Sequence, residues 1–215
     1  MNTLEYVINK YNLKPNHPPT EIGNMGRDNL PELFNELGFV EGVEMGVERG
    51  VYAEILCKGI PDLHLYCVDS WLAYSGYREH VSQSKMDRFF EQTKERLAPY
   101  NVTYVRKLSV DAAKDFEDNS LDFVYIDGNH QFPYIADDLF IWSQKVRPGG
   151  IVSGHDYVGS TRFHNQCHVM HVLNAFTQSY KIRPWFIVGT KEKYEGEIRD
   201  KSRSWFYVKE GTGIA

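Results

Sequence analysis

The chain of 215 residues has no apolar run of about 18 residues, so no membrane-spanning helix and no membrane partner are expected. Cysteine is scarce. Cys57, Cys67 and Cys167 lie far apart and form no C-x-x-C pair, which excludes a zinc-finger type cage. An odd cysteine count without a secretory leader points to a reducing cytoplasm. A cationic surplus is also missing. The 24 Lys and Arg face 29 Asp and Glu, giving a net charge of -5. A nucleic-acid backbone calls for a basic face, so no such partner is expected. The one basic run, "IRDKSRSW" (198–205), reads as a solvated turn. Neither phosphate-binding glycine loop occurs, and there is no internal repeat, low-complexity tract or long linker.

Aromatic residues are plentiful, with 14 Tyr, 12 Phe and 4 Trp. Most should fill a core, because aromatic side chains carry large buried area. Hydrophobic and charged fractions of 42% and 25% suit a globular chain of this length. Residues 1–38 differ in character from the rest. "TLEYVINKYNL" and "LPELFNELGF" read as short helices, the second stopped at Gly38, and "PNHPPTEIGNMGRDN" between them reads as loop. This segment is expected to be a helical cap or an oligomer arm, with residues 39–215 as the main domain.

From residue 39 strand and helix alternate. Strands are expected over 39–46, 64–71, 102–108, 121–127 and 149–156, and helices over 51–59, 81–98, 111–116, 133–146 and 168–180. Within the long helices, Met86, Phe89, Phe90, Thr93 and Leu97 share one face, as do Ile135, Leu139, Trp142 and Val146. "RPWFIVGT" and "SRSWFYVKE" close the chain as an antiparallel pair. Apolar strands alternating with amphipathic helices give a doubly wound, Rossmann-like α/β fold: a mostly parallel sheet with helices on both faces. The N-terminal arm and the aromatic terminal strands hint at a homodimer.

Ligands in such sheets bind outside the carboxyl ends of the strands. The unusual polar residues fall there. "VEMGVERG" puts Glu44, Met45 and Gly46 at the first strand end, where Gly46 allows close backbone approach and Glu44 would repel phosphate. Asp69 and Ser70 end the second strand, where an acid can accept hydrogen bonds from a ribose diol or cap a helix. Ser109, Asp111 and Ala112 follow the third, facing an adenine edge or capping the next helix. "YIDGNHQFPY" brings Asp127 and His130 out of the fourth strand, and "GGIVSGHDY" brings His155 and Asp156 out of the fifth. Asp127, His155 and Asp156 can then converge on a divalent cation, provided the strand has ended at Gly154, since neighbours in a strand point to opposite faces. "SWLAYSGY" after the second strand is either an acceptor-pocket wall or simple packing on the sheet.

"VEMGVERG", "YCVDSW", "YIDGNHQFPYIADDL" and "RPGGIVSGHDY" occur in order and at suitable spacing. With them the chain resembles the class I S-adenosylmethionine-dependent methyltransferases over about residues 36–190. Within these it resembles the metal-dependent small-molecule O-methyltransferases of the macrolide-sugar and aminocoumarin-sugar type. The resemblance implies that Glu44 and Gly46 border the methionine part of the cofactor. It gives Asp69 the ribose hydroxyls and Ser109 to Ala112 the adenine. It also gives Asp127 and Asp156 a metal ion. His155 stands where those enzymes carry an acid, which tilts the ion from Mg²⁺ towards Mn²⁺, Fe²⁺ or Zn²⁺. Asn129 stands at their acidic-base position, and His130 beside it is the substitute base.

The expected activity is methyl transfer to a hydroxyl of a small molecule, with the cation activating the hydroxyl and His130 taking the proton. Two alternatives stay open. One is a metal-independent enzyme in which His130 alone serves a phenol or amine. The other is a non-catalytic domain that binds S-adenosylmethionine or another nucleotide.

Overall fold

The computed structural model describes residues 2–74, 82–159, 167–192 and 194–214. The strands are β1 (Thr20–Ile22), β2 (Glu41–Met45), β3 (His64–Val68), β4 (Val102–Val105), β5 (Leu121–Ile126), β6 (Val146–Gly154), β7 (Phe186–Val188) and β8 (Ser204–Val208). They form one sheet in the order β1-β7-β8-β6-β5-β2-β3-β4. All neighbours are parallel except β8, which runs antiparallel between β6 and β7. The expected doubly wound sheet with an antiparallel terminal pair is therefore present.

The helices are α1 (Thr3–Lys10), α2 (Leu30–Glu36), α3 (Val51–Gly59), α4 (Gln83–Leu97), α5 (Ser109–Ala112), α6 (Phe132–Lys145) and α7 (Val169–Ser179). They divide between the two faces of the sheet and build two buried clusters. One holds Leu33, Phe34, Leu56, Phe89 and Leu97; the other holds Leu139, Trp142, Leu173 and Trp205. Ile135, Leu139, Trp142 and Val146 are all buried, as their spacing indicates. On α4, Met86, Phe89, Thr93 and Leu97 are buried, whereas Phe90 is only partly so. Residue 81, the expected start of that helix, lies outside the described residues.

One loop expectation gives way. Thr20–Ile22, inside the stretch read as loop, pairs in parallel with Phe186–Val188 at the sheet edge. Three residues between a Pro pair and a glycine are too few to show a period-2 pattern. The first 38 residues thus supply a strand, and Val7, Ile22, Leu30, Leu33 and Phe34 to the core. Trp185, Trp205 and Phe206 of the terminal strands are buried as well.

Lys209 closes the sheet's far end. It is wholly buried, and its Nζ donates to Ser143 O at 2.9 Å, Val146 O at 2.7 Å and Asn119 Oδ1 at 3.1 Å. It thereby satisfies carbonyls left over at the α6 C-terminus, where a cation also complements the helix dipole. Burial lowers its pKa.

Candidate active site

The carboxyl ends of β2, β3, β5 and β6 open on a cavity of about 850 Å³. Of the residues named from sequence, Met45, Gly46, Asp69, Ser70, Ser109, Asp111, Asp127, His130, His155 and Asp156 line it. Ala112 does not: it is the inward residue of a one-turn helix and is wholly buried in the core. Glu44 faces a second cavity of about 290 Å³, which shares Gly46, Glu48 and Asp127 with the first.

Gly46 is required by the backbone. Its φ is +84°, and a Cβ there would stand 2.1 Å from Asp127 O. The β2 and β5 ends are drawn together at this point, with Asp127 N donating to Met45 O at 2.9 Å. A side chain would force them apart.

Asp69 caps no helix among the described residues. Its Oδ2 accepts from Glu48 N at 3.0 Å and its Oδ1 from Trp71 N at 2.8 Å. These bonds fix the carboxylate at the cavity wall. Trp71 is buried, donates from Nε1 to Glu48 O at 2.8 Å and packs on Phe90. It is therefore a packing residue, whereas Leu72, Ala73 and Tyr74 line the cavity. Residues 75–77 of that aromatic stretch lie outside the described residues.

Ser109 opens α5 without capping it. Its hydroxyl donates to Asp138 Oδ1 and accepts from Trp142 Nε1 at 3.0 Å. Asp138 also lines the cavity, yet it is 5% exposed. Burial pushes its carboxyl up to about 7, against the opposing pull of the Ser109 hydroxyl. Asp111 is exposed and pairs with Lys114 at 2.7 Å.

At the far end of the cavity four titratable groups meet. His130 Nε2 lies 3.4 Å from Asp127 Oδ1 and 3.2 Å from Asp156 Oδ2. His155 Nδ1 lies 3.5 Å from Asp156 Oδ2 and 3.9 Å from Asp127 Oδ1. β6 ends at Gly154, and Asp156 takes a left-handed φ of +58°. The turn lets consecutive residues serve one cavity, at a local backbone cost characteristic of functional sites. Burial raises the Asp156 carboxyl, but the His155 hydrogen bond and the charges of both histidines outweigh it, so its pKa lies below the ordinary range.

The ligand atoms of Asp127, His130 and Asp156 all lie within 4.8 Å of one another. Two carboxylates and an imidazole suit a first-row divalent ion, so the residues fit one. His155, which the sequence places in the ligand set, stands beside this trio. Asn129 is occupied structurally, with Oδ1 accepting from Gln131 N at 3.0 Å and Nδ2 donating to Tyr74 Oη at 3.2 Å.

Two site residues escape the sequence reading. One is Asp138, whose signal is an acid on the apolar stripe of α6. The other is Arg27, which donates to Asp127 Oδ2 at 2.8 Å and lies over the rings of Tyr52 and Tyr125, 4.0 Å and 5.2 Å from their centroids. Nothing in the Pro- and Gly-rich stretch around it singles it out.

Residues 43–157, which contain most of β2, all of β3 to β6 and every group just described except Arg27, match the model of a methyltransferase domain. The chain belongs to that methyltransferase family. Solved methyltransferases share the fold. An O-methyltransferase from Bacillus cereus, in complex with S-adenosylhomocysteine, is 16% identical at a TM-score of 0.58, covering 96% of this chain and 90% of that one. The O-methyltransferase TomG of Streptomyces achromogenes, in complex with S-adenosylmethionine and involved in tomaymycin synthesis, is 19% identical at 0.56, covering 85% and 79%. Among curated proteins, the uncharacterized protein y4gI of Sinorhizobium fredii is 29% identical over 124 residues, which are 53% of this chain and 13% of that protein.

Proposed function

We propose that this methyltransferase moves the methyl group of S-adenosylmethionine to a hydroxyl of a small molecule, with a divalent cation held by Asp127, His130 and Asp156. The observation that carries the reading is the convergence of those three side chains within 4.8 Å, at one end of the 850 Å³ cavity. Asp69 is set to hold the ribose diol and Ser109, backed by Asp138, the adenine. The displacement at the sulfonium methyl needs an aligned and activated oxygen. A bound cation supplies the lowering of the hydroxyl's pKa.

The chain's own residues do the rest. Gly46 lets the two strand ends close, and His155, an imidazole outside the ligand trio but lining the cavity 3.5 Å from Asp156, accepts the proton. Leu72 and Tyr134 line the same cavity and are each 46% exposed, which favours an acceptor with an apolar face beside its hydroxyl.

A second reading uses no metal. His130, flanked by two carboxylates at 3.4 Å and 3.2 Å, would itself be the base for a phenol or amine. Transfer of labelled methyl to a panel of sugars, phenols and amines separates the readings. Loss of transfer in chelator with recovery on Mn²⁺ supports the cation; transfer unchanged in chelator removes it. Cofactor binding without transfer to any acceptor leaves a non-catalytic domain.

A further inference from the structure

Arg27 comes from outside the matched family region, yet it lines the smaller cavity and bonds Asp127, which lines both. The smaller one is lined by Arg27, Glu44, Gly46, Arg49, Tyr52 and Asp127, among others. Two of its groups are poorly served. Glu44 is 1% exposed, and its Oε2 has no hydrogen-bond partner; Arg27 Nε is likewise buried without one. Leaving buried polar atoms without hydrogen bonds is costly, so a site with one such carboxyl oxygen and one such guanidinium nitrogen is suited to a ligand that serves both. The end of an α-amino acid, an ammonium beside a carboxylate, is such a ligand. The two cavities adjoin, sharing Gly46, Glu48 and Asp127 in their walls.

With the methionine part of the cofactor beside Glu44 and Gly46, as the resemblance implies, we propose that Arg27 changes partner on binding, from Asp127 Oδ2 to the cofactor's carboxylate. Stacking over Tyr52 and Tyr125 holds the guanidinium in place while its N–H groups exchange acceptors. In the empty protein Arg27 thus acts as a stand-in cation for Asp127. Cofactor binding removes it and uncovers the carboxylate. The consequence for a metal rests on the cation reading above: cofactor and cation should each tighten the other's binding, by the same factor.

Calorimetry with S-adenosylhomocysteine and its decarboxylated analogue tests the exchange without turnover. The wild type should prefer the carboxylate-bearing ligand by about 10- to 100-fold, the worth of a charged hydrogen bond. Arg27→Met should bind the two within about threefold, and Arg27→Lys, which keeps the charge but not the fork, should fall between. An undiminished preference in Arg27→Met, or in Arg27→Lys if the former does not fold, overturns the assignment.

Mn²⁺ titrations carry the second arm. Wild type should bind Mn²⁺ more tightly with S-adenosylhomocysteine present. Arg27→Met should bind it tightly with or without that ligand. Equal Mn²⁺ affinity with and without the ligand in wild type overturns the exchange. Absence of Mn²⁺ binding in every form defeats the cation reading alone, and the carboxylate comparison still decides Arg27.

Discussion

Asp138→Asn isolates one buried proton. Asp138 is 5% exposed, its Oδ1 accepts from Ser109, and burial holds its carboxyl near pH 7. In the unfolded chain the same group titrates near 3.8. Between these values the folded protein binds more protons than the unfolded one, so stability falls as pH rises. The contribution of the protonated form is complete below about pH 4 and gone above about pH 7. At about 1.4 kcal/mol for each pH unit the whole window is worth about 4 kcal/mol, of which about 3 lies between pH 5 and pH 8.

Asn keeps the shape and an oxygen for the Ser109 hydroxyl but carries no titrating proton. Urea unfolding of both proteins at pH 5 and pH 8 gives the comparison, since every other group contributes equally to each. Wild type should lose about 3 kcal/mol more than Asp138→Asn over that interval. Parallel loss of stability in the two proteins would refute the argument that burial sets this proton.

Gly46→Ala should cost about 2–4 kcal/mol, from the left-handed φ and the clash at Asp127 O, and should weaken S-adenosylhomocysteine binding; unchanged unfolding and calorimetry would count against the close approach. Lys209→Met leaves the α6 carbonyls without a donor and should cost about 2–4 kcal/mol in urea unfolding, with cofactor binding intact in the folded fraction. His130→Ala and Asp156→Ala should abolish Mn²⁺ binding, while His155→Ala should keep it and lose methyl transfer; the reverse pattern for the two histidines would return His155 to the ligand set.

The doubly wound sheet was legible because its signals are redundant. Near-continuous apolar strands and the stripe Ile135, Leu139, Trp142 and Val146 each demand the same layers. The meeting of Asp127 with Asp156 followed from topology, since β5 and β6 are neighbours and both end at the same rim. The placement of the two histidines did not. Which imidazole enters the trio depends on φ at Asp156 and on the turn after β5, and a residue string does not state either. β1 and Arg27 were hidden for a related reason: a three-residue edge strand has no period, and an arginine brought across the chain to Asp127 leaves no local mark. Asp138 could have been found, because an acid among the buried residues of an amphipathic helix is a misfit that asks for a partner.

The central claim is that the cavity over the strand ends is the cofactor site. Titrating S-adenosylhomocysteine into the protein, the wild type should bind one molecule per chain, and Asp69→Ala should weaken binding by at least about tenfold through loss of the diol acceptor. Binding with wild-type affinity in Asp69→Ala, or no binding heat from the wild type with or without Mn²⁺, would contradict it.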